Sequence, residues 1–171
     1  AALTTNTYVL NSANYYHDAD LVINNGEGIY VNGNATLYVT GTLNMKNATG
    51  TYITIAPGCS LKVNIGKSSG SAVSATFGLV NNNGNCSTFQ VFGLPTLTTM
   101  TWSGNAVFIG TIYCPQAAFE CGGGGSTVLD YQGACCVSSA SLNGHFNFHY
   151  DQNLSRAKPG SGFIITAWRE L

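Results

Sequence analysis

Two histidines and an aspartate near the end of the chain, His145, His149 and Asp151, form the densest group of metal-binding and proton-transferring side chains in the sequence. On an extended strand alternate side chains share a side, and these three lie at even spacings. Two imidazoles with one carboxylate make a donor set suited to a divalent transition metal. The competing reading is structural. His149 then hydrogen-bonds a turn, and Asp151 takes a hydrogen bond or an ion pair, with Arg156 near in sequence. That second reading is preferred, so neither a metal nor another cofactor is expected.

The chain has seven carboxylates: Asp18, Asp20, Glu27, Glu120, Asp130, Asp151 and Glu170. Cleaving a glycosidic bond needs an acid and a base or nucleophile at a fixed separation, or acids with a cation and a basic residue. Asp130 and Asp151 are the best available pair, since a 23-residue shift carries Asp130 to Asn153, two positions from Asp151. Isolated acids at surface corners are the simpler assignment. The glycine run from Gly122 to Gly125 is not followed by Gly-Lys-Ser/Thr and reads as a corner, not a phosphate cradle. There is no Gly-x-Ser-x-Gly elbow and no Cys-x-x-Cys pair. The chain is not expected to be an enzyme.

Charged residues make up only 8% of the chain and the net charge is −1. Six Lys and Arg in total cannot build the basic surface that nucleic acid or an anionic membrane requires. No stretch approaches the roughly 18 apolar residues of a membrane span. No signal peptide is recognisable, and the chain reads as a mature form or an excised domain. Six cysteines in a chain poor in charge and rich in Asn suggest an oxidising compartment.

What must position these residues is a set of short strands. Apolar residues make up 44% of the chain, yet no helical i, i+3, i+4, i+7 stripe is present. β-Rich runs recur instead: Leu21–Ile23, Ile29–Val31, Leu37–Val39, Tyr52–Ile55, Leu61–Ile65, Phe89–Phe92, Ala106–Ile109 and Phe146–Phe148. Asn-Gly, Asn-Ala-Thr-Gly and Pro-Gly turns separate them. A 24-residue shift sets Leu37 on Leu61, Val39 on Val63 and Ala35 on Cys59. A 23-residue shift sets Gly110 on Gly133, Ile112 on Cys135, Ala117 on Ala140 and Phe119 on Leu142. Copies this short share a core only by stacking. The expected fold is therefore a single-domain, all-β, right-handed parallel β-helix with coils of roughly 23–24 residues, about seven in number. A β-sandwich is the alternative. Residues 1–19 are expected to cap one end, about 20–154 to form the coils, and about 155–171 to supply a C-terminal cap with a strand at Phe163–Trp168. Matching places in successive coils suggest a Cys59–Cys86 disulfide, and more weakly Cys114–Cys136.

The segments Gly110-Thr-Ile-Tyr-Cys-Pro-Gln-Ala117 and Leu142-Asn-Gly-His-Phe-Asn-Phe-His-Tyr-Asp151 resemble a known pattern. It is a G-x-[IL]-Y-A-P-x-A segment, a glycine-rich turn, a G-A-hydrophobic segment, then L-x-G and H-Y-D. The region of about 104–154 resembles a β-helical domain of uncharacterised function found in bacterial cell-surface and type IV pilus assembly-like proteins. Cys114 stands where that pattern has Ala, and Cys135-Cys136 where it has aliphatic residues. The resemblance marks Gly110, Tyr113, Pro115, Gly133, Gly144, His149, Tyr150 and Asp151 as structural positions. It implies surface exposure and supplies no catalytic residue. The expected function is a non-enzymatic structural or adhesive protein at the bacterial surface or outside the cell, associated with pili or secretion. Its partners would be other surface or pilus proteins, or glycans. The alternative is a carbohydrate-binding or carbohydrate-cleaving β-helix, with Tyr8, Tyr15, Tyr16, Tyr30, Tyr38 and Tyr52 stacking on sugars.

Overall fold

A run such as Leu61-Lys62-Val63-Asn64-Ile65 sends every second side chain to one side of an extended strand. Its apolar side is too small to be stable alone, so it must be covered above, below and across a core. In the computed structural model, which describes residues 6–46, 52–102, 107–122, 128–143 and 145–156, such strands stack into a parallel solenoid of about five turns with almost no helix.

The first turn holds β1 (Asn6–Leu10), β2 (Asn14–His17) and β3 (Leu21–Ile23). The second holds β4 (Glu27–Val31), β5 (Asn34–Val39) and β6 (Leu43–Met45). The third holds β7 (Tyr52–Ile55), β8 (Ser60–Ile65) and β9 (Val73–Phe77). The fourth holds β10 (Leu79–Asn81), a short 3-10 turn at Cys86–Thr88, β11 (Phe89–Gly93) and β12 (Leu97–Trp102). Two long strands follow, β13 (Phe108–Gly122) and β14 (Leu129–Asn143), then β15 (Phe146–Tyr150) and a 3-10 turn at Gln152–Arg156.

The first strands of each turn form one face, in the order β1-β4-β7-β10. The second and third strands form two further faces, joined because β13 pairs with β11 near its start and with β12 near its end. Every pairing among these strands is parallel, which excludes the sandwich. β13 turns its corner at Pro115. Cys114 and Ala117 are both buried although three residues apart, so the alternation changes phase there. Pro115 has no N–H to lose from the ladder at that point.

Inside, side chains stack in register from turn to turn. One ladder runs Tyr15, Leu37, Val63, Val91, Ile112, Cys135. Another runs Ala35, Leu61, Phe89, and a third Leu43, Ala75, Met100, Phe119, Ala140. Phe108, Tyr131 and Phe148 stack with ring centroids 4.8 Å and 4.4 Å apart. Each fully buried large side chain of this kind contributes about 1.5–3 kcal/mol.

Polar side chains hold the corners. Thr40 donates from Oγ1 to Asp18 at 2.6 Å, and the Thr42 N–H donates to Asp20 at 2.8 Å, each across one turn. Asn83 Nδ2 donates to the Ile55 carbonyl at 3.0 Å, and Asn82 Nδ2 to the Ile109 carbonyl at 2.9 Å. These two neighbouring amides therefore clamp the turn before and the turn after.

The expected register needs correction. Leu37 lies opposite Val63 rather than Leu61, and Val39 opposite Ile65 rather than Val63. The strands, the parallel direction and the inward face agree with expectation, but the slip is two residues because the corner loops differ in length. Coils on this face span 21 to 28 residues, as the ladder from Tyr15 to Cys135 shows. The turns number about five rather than seven. Gly110 does pair with Gly133 and Ile112 with Cys135, but beyond Pro115 Phe119 meets Ala140 and not Leu142. Residues 6–17, expected as a cap, supply β1 and β2 of the first turn. The expected strand at Phe163–Trp168 lies outside the described residues.

All six cysteines are free. Pairing begins at Leu61 opposite Phe89, and Cys86 lies before it in the 3-10 turn, where its thiol reaches the Gln132 carbonyl at 3.3 Å. Cys136 lies opposite Tyr113, on the side away from the buried Cys114.

Candidate functional site

The richest group of polar side chains gathers where β15 lies on β14. Asp130 sits directly opposite Asn147, whose Nδ2 donates to Asp130 Oδ1 at 3.2 Å. His149 Nε2 lies 3.1 Å from the same oxygen. Two neighbours thus converge on one carboxylate oxygen at a partly exposed strand surface.

Beyond this pair lies a depression of about 260 Å³, lined by Gly84, Cys86, Gln132, His149, Tyr150, Asp151 and Asn153. The 3-10 turn brings in Cys86, and β14 brings in Gln132. The Cys86 thiol is buried. Burial first, and then the Asp151 carboxyl beside it, push its pKa up to about 11. A thiol so raised is protonated at neutral pH and is a poor nucleophile. Asp151 holds the turn after β15: its Oδ1 accepts the Asn153 N–H at 2.9 Å, and its own N–H donates to the Gly133 carbonyl at 3.4 Å. The Arg156 side chain lies outside the described set.

This geometry decides several expectations. His149 turns to Asp130, not to Asp151, and His145 is an exposed residue ahead of β15. Among the described residues no three His, Cys, Asp or Glu side chains come together as metal ligands do. Asp130 aligns with Asn147 rather than Asn153, so the repeat does not bring it to Asp151. Asp151 is level with the position after Gly133, about 13 Å along the strand from Asp130. The carboxyl pairs of glycosidases stand roughly 5–9.5 Å apart.

The positions singled out by the motif have backbone reasons. Gly110 and Gly133 are stacked, and a Cβ on Gly133 would overlap the Gly110 carbonyl oxygen. Gly133 also has φ +139, a conformation that favours glycine. Tyr150 follows above Gly133, and Tyr113 faces outward opposite Cys136. Gly144 lies outside the described residues, as do residues 123–125 of the glycine run.

An outward ladder on the middle face has no signal in the sequence: Tyr16, Tyr38, Asn64, Phe92, Tyr113, Cys136. Tyr16 and Tyr38 stack with centroids 4.6 Å apart and planes 5° from parallel. Lys62 Nζ lies 5.4 Å from the Phe92 ring centre. Asn64 Nδ2 is buried without a hydrogen-bond partner between the Tyr38 and Phe92 levels. The six tyrosines do not share one platform. Tyr30 and Tyr52 lie on the β4–β7 face, while Tyr8 and Tyr15 head inward ladders at the first turn.

Fold and site together define a parallel β-solenoid whose polar groups bind mainly one another and the backbone. The chain belongs to the family described as domain of unknown function DUF7305, which it matches over residues 1–157. No curated protein and no solved structure matches it.

Proposed function

We propose that this domain is a non-enzymatic structural or adhesive element of the bacterial surface or extracellular space, working as a short rigid rod in association with pilus or secretion components. The observation that carries the reading is the use of its carboxylates. Asp18, Asp20, Glu27, Asp130 and Asp151 each accept a hydrogen bond that closes a turn or ties neighbouring strands. Such groups hold a fold together. A catalytic acid needs instead a desolvated site that raises its pKa. Sparse charge and an Asn- and Thr-rich exterior suit a protein that meets solvent and partner surfaces.

The composition and the surface-protein resemblance support the extracellular assignment. The free thiols withdraw the support that an even cysteine count lent it. Among the described residues no helix is long and apolar enough to cross a membrane.

The glycan-binding alternative needs open aromatic faces. Sugars stack on the face of a ring, and Tyr16 and Tyr38 cover one face of each other. Antibody labelling of intact source cells tests the localisation, with surface label expected and purely internal label opposing it. A glycan array tests the alternative: retention of one sugar class that Tyr16→Ala abolishes would favour glycan binding.

A further inference from the structure

Asn25, Asn32, Asn83 and Asn143 each precede a glycine. An Asn-Gly bond carries chemistry of its own, because the side-chain amide of the first residue lies within reach of the backbone nitrogen of the second. Glycine has no Cβ to crowd that approach, and its backbone turns freely. Gly144 lies outside the described residues. Asn25, Asn32 and Asn83 are all exposed at corners of the solenoid, so access does not separate them. What separates them is how firmly each corner holds the reacting groups.

Asn32-Gly33 is gripped from both sides. The Asn32 N–H donates to the Leu10 carbonyl at 2.8 Å, and the Gly33 carbonyl accepts the Ser60 N–H at 3.2 Å. The turn below lies so close that a Cβ on Gly33 would collide with the Ser12 backbone nitrogen. Asn83-Gly84 is held through the side chain itself. Its backbone makes a tight turn, with φ 56 at Asn83 and 76 at Gly84, closed by the Asn85 N–H on the Asn82 carbonyl at 3.3 Å. Asn83 Nδ2 donates to the Ile55 carbonyl at 3.0 Å, which pins the amide to the turn below.

Asn25-Gly26 is held by less. The Glu27 N–H donates to the Asn24 carbonyl at 3.0 Å and closes a turn with Asn25 and Gly26 at its centre. Gly26 has φ +81, and a positive φ at the second central residue is the type II pattern. The closing bond spans the central peptide without engaging it. Strand pairing stops at Ile23 and resumes at Glu27. Nothing lies within 4 Å of the place a Cβ on Gly26 would take. The peptide between Asn25 and Gly26 can therefore rotate without breaking a ladder bond.

We propose that Asn25 is a self-modifying position, whose side chain passes through a cyclic imide to aspartate and isoaspartate in the folded chain, while the corners at Asn32 and Asn83 hold those residues back. The Gly26 nitrogen gives its proton to base and attacks the Asn25 side-chain carbonyl carbon. A new C–N bond forms, the bond to the side-chain nitrogen breaks, and ammonia leaves. Water then opens the imide at either carbonyl. One water is taken up and one ammonia is released. The product places a new carboxylate two residues from Glu27 and takes the net charge from −1 to −2. Isoaspartate also adds one methylene to the main chain of the β3–β4 corner, which loosens the Asn24–Glu27 turn.

Incubation of the purified chain at pH 8 tests this, with peptide mapping by mass spectrometry and isoaspartate detected by enzymatic methylation. In the folded chain Asn25 is expected to convert about tenfold or more faster than Asn32 and Asn83, the scale of the local opening that those two require. In denaturant the three bonds should convert at like rates, since each is Asn-Gly and no corner remains. Asn32 or Asn83 converting as fast as Asn25 in the folded chain overturns the proposal. So does a spread of rates that persists in denaturant, or an Asn25 that keeps its amide in the folded chain while the denatured chain converts.

Discussion

Three thiols illustrate how the interior of this solenoid treats a titratable group. Cys114 and Cys121 are buried in the inward ladders, and their pKa values are pushed up to about 12, chiefly by burial. Cys86 rises to about 11 for the same first reason. A raised thiol pKa favours folding below the ordinary value of 9.0, and that contribution is lost as pH rises from there toward 11–12. Stability should therefore decline on the alkaline side of pH 9, as thermal melts across pH 8–11 would record. Alkylation at pH 8 followed by mass spectrometry should label the exposed Cys136 first and leave Cys86, Cys114 and Cys121 unlabelled until unfolding. Early labelling of Cys86 would contradict its burial. A second residue-scale expectation concerns Gly133. An added methyl meets the Gly110 carbonyl at a φ of +139, so Gly133→Ala should cost about 3 kcal/mol or more in a denaturant melt.

At the scale of the strand, Leu61 and Lys62 are neighbours with opposite fates. Leu61 is buried between Ala35 and Phe89, while Lys62 points outward beside Phe92. Leu61→Asp buries an unpaired charge and should leave no cooperative melt by circular dichroism. Lys62→Ala should cost less than about 1 kcal/mol, the scale of an exposed cation–π contact. Strands of this type were legible in the sequence, because β-branched and aromatic residues alternate cleanly at Leu21–Ile23, Tyr52–Ile55 and Leu61–Ile65. The full lengths of β13 and β14 were not, since Gly, Ala, Ser and Cys give no period to read. β1 and β2 read as a cap in the sequence because Tyr8 and Tyr15, which head the inward ladders, look no different from surface tyrosines. Register failed for a specific reason. A one-residue slip turns every side chain over, whereas a two-residue slip keeps apolar on apolar. Leu61 and Val63 are both apolar, so the pattern alone cannot choose between them as the partner of Leu37.

For the molecule as a whole, repetition rather than a cleft organises the polar groups. Of the candidate site, the sequence shows His149 near acids, but its spacing points to a turn contact for His149 and to Arg156 for Asp151. The true partner, Asp130, is joined through a 17-residue return of the chain that matches neither repeat period seen in the sequence. The adjacency of Cys86 to Asp151 had no sequence signal at all, since it joins the turn before β11 to the residue after β15, with β13 and β14 stacked between those strands. The claim that unites these observations is that the acids of this rod hold strands together and do not turn over substrate. It is tested most directly by incubating the purified chain, Asp130→Asn and Asp151→Asn with a panel of polysaccharides, while recording the Tm of each. The expected result is no released sugar from any of the three. Each substitution should remove a partly exposed hydrogen bond worth about 0.5–1 kcal/mol, lowering Tm by roughly 1–4 °C. Sugar released by the unaltered chain, and lost in either variant while Tm holds, would contradict the account.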